Sequence, residues 1–259
     1  MTAGVQGRLW SARARDWADV QEPVQGSMYE PVLDAAAVSE GTRLLDVGCG
    51  SGVAAAIARR RGAQVSGIDA APPAVEIARE RLPEGDFRVG EMQALPYEDG
   101  CFDVVTGFNA FQYAADPVAA LREARRVTAG GGTIVALTWG RPEDCEAAVY
   151  LKALASLLPA PPPGTPGPFA LSAPDALETL ARDAGLTPAR TGEVTTPWEY
   201  PDRETAIRGL LSSGPAVKAI EAAGEGRVAA AVIAAIAPLR TASGGYAMRN
   251  TWRYLIATA

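Results

Sequence analysis

Two kinds of apolar spacing alternate between residues 43 and 138. Short continuous apolar runs predict buried strands over Arg43–Val47, Gln64–Asp69, Asp86–Gly90, Phe102–Phe108 and Gly132–Thr138. Between them, apolar positions recur every three or four residues. That spacing predicts helices from the Gly48–Gly52 turn to about Arg61, over Pro73–Arg81, and over Pro117–Val127. Pro117 suits a first helical turn, where its missing N–H costs nothing. Strand–helix alternation at this pace predicts an α/β fold on a parallel sheet.

The pattern changes on either side of this block. Residues 8–37 predict two amphipathic helices, with Trp10, Trp17, Met28, Tyr29 and Leu33 as apolar anchors. After residue 140, helices are expected over Glu143–Leu158 and 174–185. Between those two, Pro159–Pro168 is expected as a stiff polyproline-like connection. A sixth strand is expected over Glu193–Tyr200. Asp202–Leu239 predicts two or three helices, broken at Gly214-Pro215 and Gly224, and placed to cover a substrate. Tyr246–Ala257 predicts a seventh strand. The 259 residues allow one large domain. We divide it into an N-terminal helical extension (1–37), a cofactor-binding half (38–140) and a substrate-side half (141–259), with the helical insert at about 202–240.

Composition narrows the chemistry. A net charge of −6 argues against a nucleic-acid surface, which needs a basic patch. There is no histidine, which removes His-based triads and the commonest metal ligand, so no metal is expected. The three cysteines form no CxxC pair, which suggests a reducing compartment, the cytoplasm. No segment is long and apolar enough for membrane insertion. Oligomeric state is not legible.

The strongest chemical signal is Leu44–Ala58, a strand, a glycine turn and a helix start. A dinucleotide fingerprint needs a third glycine where Val53 stands. Asp46 sits in the approach to the turn, repels phosphate and attracts a cation, so the turn suits a cationic nucleoside better than a dinucleotide. Asp69 ends the second strand about 20 residues on, where a carboxylate accepts ribose hydroxyls. After the third strand, Glu91 is placed to accept from an adenine amino group and Met92 to lie on the ring. Cys49 has no visible base or cation to activate it as a nucleophile.

Six blocks in order, Leu44–Gly52, Gly67–Asp69, Gly90–Pro96, Phe102–Val105, Asp116–Val127 and Gly130–Ile134, resemble a class I S-adenosylmethionine-dependent methyltransferase. The subgroup is the small-molecule kind, similar to ubiquinone and menaquinone methylases, and the resemblance covers roughly residues 40–140. It implies a Rossmann-like seven-stranded, mostly parallel sheet of order 3-2-1-4-5-7-6, with the last strand antiparallel, helices on both faces and a helical cap. It further implies methyl transfer from S-adenosyl-L-methionine to a small-molecule acceptor, leaving S-adenosyl-L-homocysteine. By position, Asp46, Gly48, Cys49 and Gly50 would hold the methionine end, and Asp69 and Ala70 the ribose. Glu91, Met92 and Gln93 would frame the adenine, with Phe108 and Asn109 near the sulfonium. The subgroup's frequent His-His or His-Tyr pair is here Gln112-Tyr113, so the candidate bases are Tyr113, Glu199 and Tyr29. Two other classes compete: a non-catalytic cofactor-binding regulator, and an NAD-linked oxidoreductase, which Val53 and Asp46 oppose.

Overall fold

Seven strands form one sheet in the order β3-β2-β1-β4-β5-β7-β6. They are β1 (Arg43–Val47), β2 (Gln64–Asp69), β3 (Asp86–Val89), β4 (Phe102–Phe108), β5 (Thr128–Trp139), β6 (Thr187–Tyr200) and β7 (Tyr246–Thr258). β1 pairs in parallel with β2 and β4, while β7 runs antiparallel to both β5 and β6. The computed structural model describes residues 2–160 and 167–259. Most of the expected polyproline connection, residues 161–166, therefore lies outside the described residues.

The central strands are buried on both faces, which explains their continuous apolar runs. Successive side chains part to opposite sides: Leu44, Val104 and Val135 join one core layer, Leu45, Val105 and Ile134 the other. The helices are α1 (Thr2–Ser11), α2 (Ala14–Asp16), α3 (Glu22–Val24), α4 (Tyr29–Ala35), α5 (Val53–Arg60), α6 (Pro72–Arg81), α7 (Pro117–Val127), α8 (Ala148–Ser156), α9 (Ala176–Asp183), α10 (Arg203–Leu210), α11 (Gly214–Ala223) and α12 (Glu225–Ile236). The first layer lies under α4, α5, α8 and α10–α12, the second under α7 and α9.

Strand order reverses between β1 and β4, so the loops leaving these strands diverge and open a crevice at their carboxyl ends. Register sets what faces it. Asp46 on β1 lies opposite Thr106 on β4 and Gly67 on β2.

Three elements differ from expectation. The N-terminal stretch is not two helices but a chain of short ones, with a π turn at Trp17–Gln21 and a 3-10 turn at Gly26–Met28. Pro23 has no N–H to donate and interrupts the regular ladder at this point. β5 starts at Thr128, four residues early, because Thr128 pairs with Phe102 before residues 129–132 bulge out and pairing resumes at Thr133. β6 starts at Thr187 rather than Glu193. As the sheet's edge strand it is largely exposed at its start, so burial wrote no apolar pattern there.

Asp116 caps α7, its Oδ1 accepting from Ala119 N at 3.0 Å. We expect Asp116→Ala to cost about 1 kcal/mol through the lost cap. In thermal unfolding that is a drop in Tm of about 2–4 °C.

Candidate functional site

The crevice widens into a cleft with about 1070 Å³ of empty space, partly open to solvent. Four chain crossings build its floor. β1 and the glycine turn supply Asp46, Gly48, Cys49 and Gly50; the end of β2 supplies Asp69 and Ala70. The turn after β3 brings Glu91 and Met92, and the end of β4 brings Phe108, Asn109 and Tyr113. Gly50 takes a φ of +53°, open to glycine without strain, and a Cβ there would come within 3.3 Å of the Glu22 carboxylate. Asn109 also has a positive φ, +53°, and its N–H donates to Leu137 O at 2.8 Å. A non-glycine residue in this region stores strain, and such residues gather at working sites.

The carboxylates are held in three ways. Asp46, 2% exposed, accepts from Thr106 Oγ1 at 2.8 Å. Burial pushes its pKa up to about 7; the Thr106 bond opposes that rise and the charges of Glu22 and Asp69 add to it. Asp69 accepts from Gly50 N at 2.9 Å and Ala71 N at 2.8 Å, so it braces the turn while keeping lone pairs for further donors. Burial raises its pKa and the backbone N–H groups resist the rise. Glu91 accepts from Ala3 N at 3.1 Å and from Gln93 N at 3.3 Å.

The fourth carboxylate had no signature in the sequence motifs. Glu22 of α3, 4% exposed, reaches the start of α5. It accepts from Ser51 N at 3.1 Å, Val53 N at 3.3 Å and the Ser51 hydroxyl. Arg81 of α6 donates to the same Ser51, at 2.5 Å to its carbonyl and 2.7 Å to its hydroxyl. Burial raises the Glu22 pKa against these bonds. A helix start after a glycine turn is a natural phosphate seat. Here the protein's own carboxylate takes the N–H groups that a pyrophosphate would use. Nothing in the sequence singles it out, since Glu22 stands among other polar residues, Asp19, Gln21 and Gln25.

The cover comes from an unexpected part of the chain. The described residues lining the cleft lie between Ala3 and Ala114, and the 202–240 insert contributes none. The cover is the N-terminal segment, and Trp10 and Trp17, expected as anchors, line the cleft. Their rings meet edge to face at 4.8 Å, and Trp10 meets Tyr113 at 5.7 Å. α1 lies close to the floor: a Cβ on Gly7 would sit 2.3 Å from Ala70 O. The insert backs this cover through ion pairs from Arg8 to Glu221 and from Arg13 to Glu225.

Other expectations need correction. Gln93 does not line the cleft; its Oε1 accepts from Ala115 N at 3.0 Å and Asp116 N at 3.3 Å and pins the loop before α7. Glu199 is exposed on β6 and lies outside the cleft, since the strand's alternation turns Trp198 and Tyr200 inward instead. Tyr29 and Tyr113 both line the cleft, but burial raises each phenol above its usual range, and Glu22 and Asp46 raise Tyr29 further. Both hydroxyls keep their protons near neutral pH, so neither is a base as it stands.

The donor set fits a cationic nucleoside. Carboxylates stand at the turn and at the ends of β2 and β3, aromatic rings stand around them, and no Lys or Arg lines the cleft among the described residues.

Comparison with known proteins agrees. Residues 45–136 match the Methyltransferase domain family. A ubiquinone biosynthesis O-methyltransferase of Cereibacter sphaeroides is 33% identical over 194 residues, 71% of this chain and 78% of that protein. A malonyl-[acyl-carrier protein] O-methyltransferase of Serratia marcescens is 32% identical over 124 residues, 48% of this chain and 49% of that protein. The crystal structure of the YcgJ protein from Bacillus subtilis superposes with a TM-score of 0.60 at 20% identity, covering 89% of this chain and 97% of that one.

Proposed function

Since the chain belongs to the class I S-adenosylmethionine-dependent methyltransferases, we propose that this cleft passes the cofactor's methyl group to a small-molecule acceptor held under the N-terminal cover. Asp46 and the Gly48–Gly50 backbone would take the methionine end, Asp69 the ribose hydroxyls, Glu91 and Met92 the adenine, and Phe108 and Asn109 the region of the sulfonium. The observation that supports this reading best is the charge arrangement: acids line the floor, and Glu22 fills the place where a phosphate would bind. The same feature disfavours an NAD-linked oxidoreductase.

When bound, S-adenosylmethionine supplies a methyl group on a cationic sulfur that leaves as a neutral sulfide. The chain's task is to orient and to exclude water. Tyr29 and Phe108 meet edge to face at 4.9 Å and present rings to the space beyond Asp46. With both tyrosines protonated and Glu199 outside, we assign no general base on the acceptor side; a hydroxyl acceptor would release its proton to water. The relatives' names support an oxygen nucleophile. The N-terminal extension, rather than the 141–259 half, is our acceptor-side wall. Free cysteines, with Cys49 and Cys145 buried, fit a reducing compartment such as the cytoplasm. No helix among the described residues is long and apolar enough to cross a membrane.

Incubation with S-adenosylmethionine and a panel of phenols, amines and enolisable acids, read by mass detection, should show a gain of one methyl group. A protein that binds the cofactor and methylates no acceptor would point to the regulatory alternative. Asp69→Ala removes both the ribose acceptor and the brace on Gly50. Its expected cost in cofactor binding is about 1–3 kcal/mol, roughly 5- to 150-fold in Kd by calorimetry. Unchanged binding would remove Asp69 from the site.

A further inference from the structure

We infer that Gln25 orients the acceptor, and that the acceptor is an uncharged, flat molecule carrying a hydrogen-bonding group, with carboxylates and phosphates refused. The inference rests on the methyl-transfer reading and names its substrate class. Gln25 is 3% exposed and lines the cleft; among the described residues its side-chain amide is neither hydrogen-bonded to another side chain or backbone group nor sealed away from the cleft. An amide that meets a cleft without a protein partner keeps its donor and acceptor free for a ligand. Gln25 sits at the junction of α3 and the 3-10 turn at Gly26–Met28, and its place is set by its neighbours. Three residues earlier, Glu22 touches the glycine turn; four residues later, Tyr29 meets Phe108 at the end of β4. Gln25 thus stands between the residue that holds the glycine turn and the one that meets the end of β4, and it lines the cleft there.

Five aromatic rings share the cleft with it. Trp10, Trp17, Tyr29, Phe108 and Tyr113 supply ring faces and edges that suit a planar molecule. The only formal charges lining the cleft among the described residues are negative, so an anionic acceptor finds repulsion and no counter-charge. The cofactor's own carboxylate escapes this penalty because its ammonium and sulfonium travel with it. An amide, by contrast, both donates and accepts, and matches a hydroxyl or carbonyl without changing the charge of the site.

The test uses the full chain saturated with S-adenosylhomocysteine, so that binding is read without turnover. Calorimetry compares three size-matched ring compounds: a phenol, a benzoate and an aryl phosphate. The phenol should bind at least 10-fold tighter than either anion. Gln25→Arg should narrow or reverse that ratio, and Gln25→Leu should erase the advantage of the phenol over the ring lacking its hydroxyl. Equal or tighter binding of the anions, or binding of none of the three, overturns the inference. Failure of S-adenosylhomocysteine itself to bind overturns the methyl-transfer reading beneath it.

Discussion

Replacing Glu22 by alanine is expected to lower stability by about 3–5 kcal/mol, the largest effect of any single change in the cleft. The carboxylate satisfies Ser51 N and Val53 N at the start of α5 and shares Ser51 with Arg81. Without it, two buried donors lose their acceptor, at about 1–3 kcal/mol each, and Arg81 loses its compensating charge. The drop in Tm should be roughly 10 °C or more. Glu22→Gln keeps one acceptor oxygen and should recover part of the loss. Sulfate should stabilise the alanine variant more than the wild type, because the freed N–H groups form an anion seat at a helix start. Melting curves of the three proteins with and without sulfate check this. A Glu22→Ala protein within 1 kcal/mol of wild type would show that Glu22 is not what holds the cover on the turn.

Cofactor binding is expected to weaken steeply as pH falls below 7. Asp46 titrates at about 7 before a cation arrives, well above its ordinary 3.8. A net positive ligand beside it favours the carboxylate, so binding releases a proton wherever Asp46 is protonated beforehand. Above pH 7 the site is already charged and affinity levels off. Below, it falls toward tenfold per unit, or about 100-fold between pH 8 and pH 5. The sign for folding alone is opposite. Between 3.8 and 7 the folded protein holds a proton that the unfolded chain has lost, so Asp46 makes stability fall as pH rises through that window. Asp46→Asn should flatten both dependences. Calorimetry in buffers of different ionisation enthalpy, at pH 6.5, reads the released proton directly.

The floor of the cleft was legible because local rules place it. Strand ends, a glycine turn and an acid at a fixed distance are short-range signals, and Asp46, Asp69, Glu91 and Phe108 all line the cleft. The cover was not legible. Glu22 meets Ser51 across 29 residues and Ala3 meets Glu91 across 88, contacts that no periodicity announces. Trp10 and Trp17 read as anchors because an aromatic on an amphipathic helix looks the same against a core or against a cavity. Gln93 differs from expectation for a related reason: its neighbours Glu91 and Met92 line the cleft, but its amide turns away to hold the backbone of Ala115 and Asp116. The base candidates failed on environment rather than position, since burial holds the protons of Tyr29 and Tyr113. In the sheet, the early start of β6 is not legible because an exposed edge carries little apolar signal.

The central claim is that the cleft selects a sulfonium nucleoside through its carboxylates and refuses a dinucleotide through Glu22. Equilibrium dialysis of the wild-type chain at pH 8 against labelled S-adenosylmethionine and labelled NAD tests it most directly. Saturable binding of the sulfonium compound with no measurable retention of NAD is the predicted result. Retention of NAD without S-adenosylmethionine would contradict it.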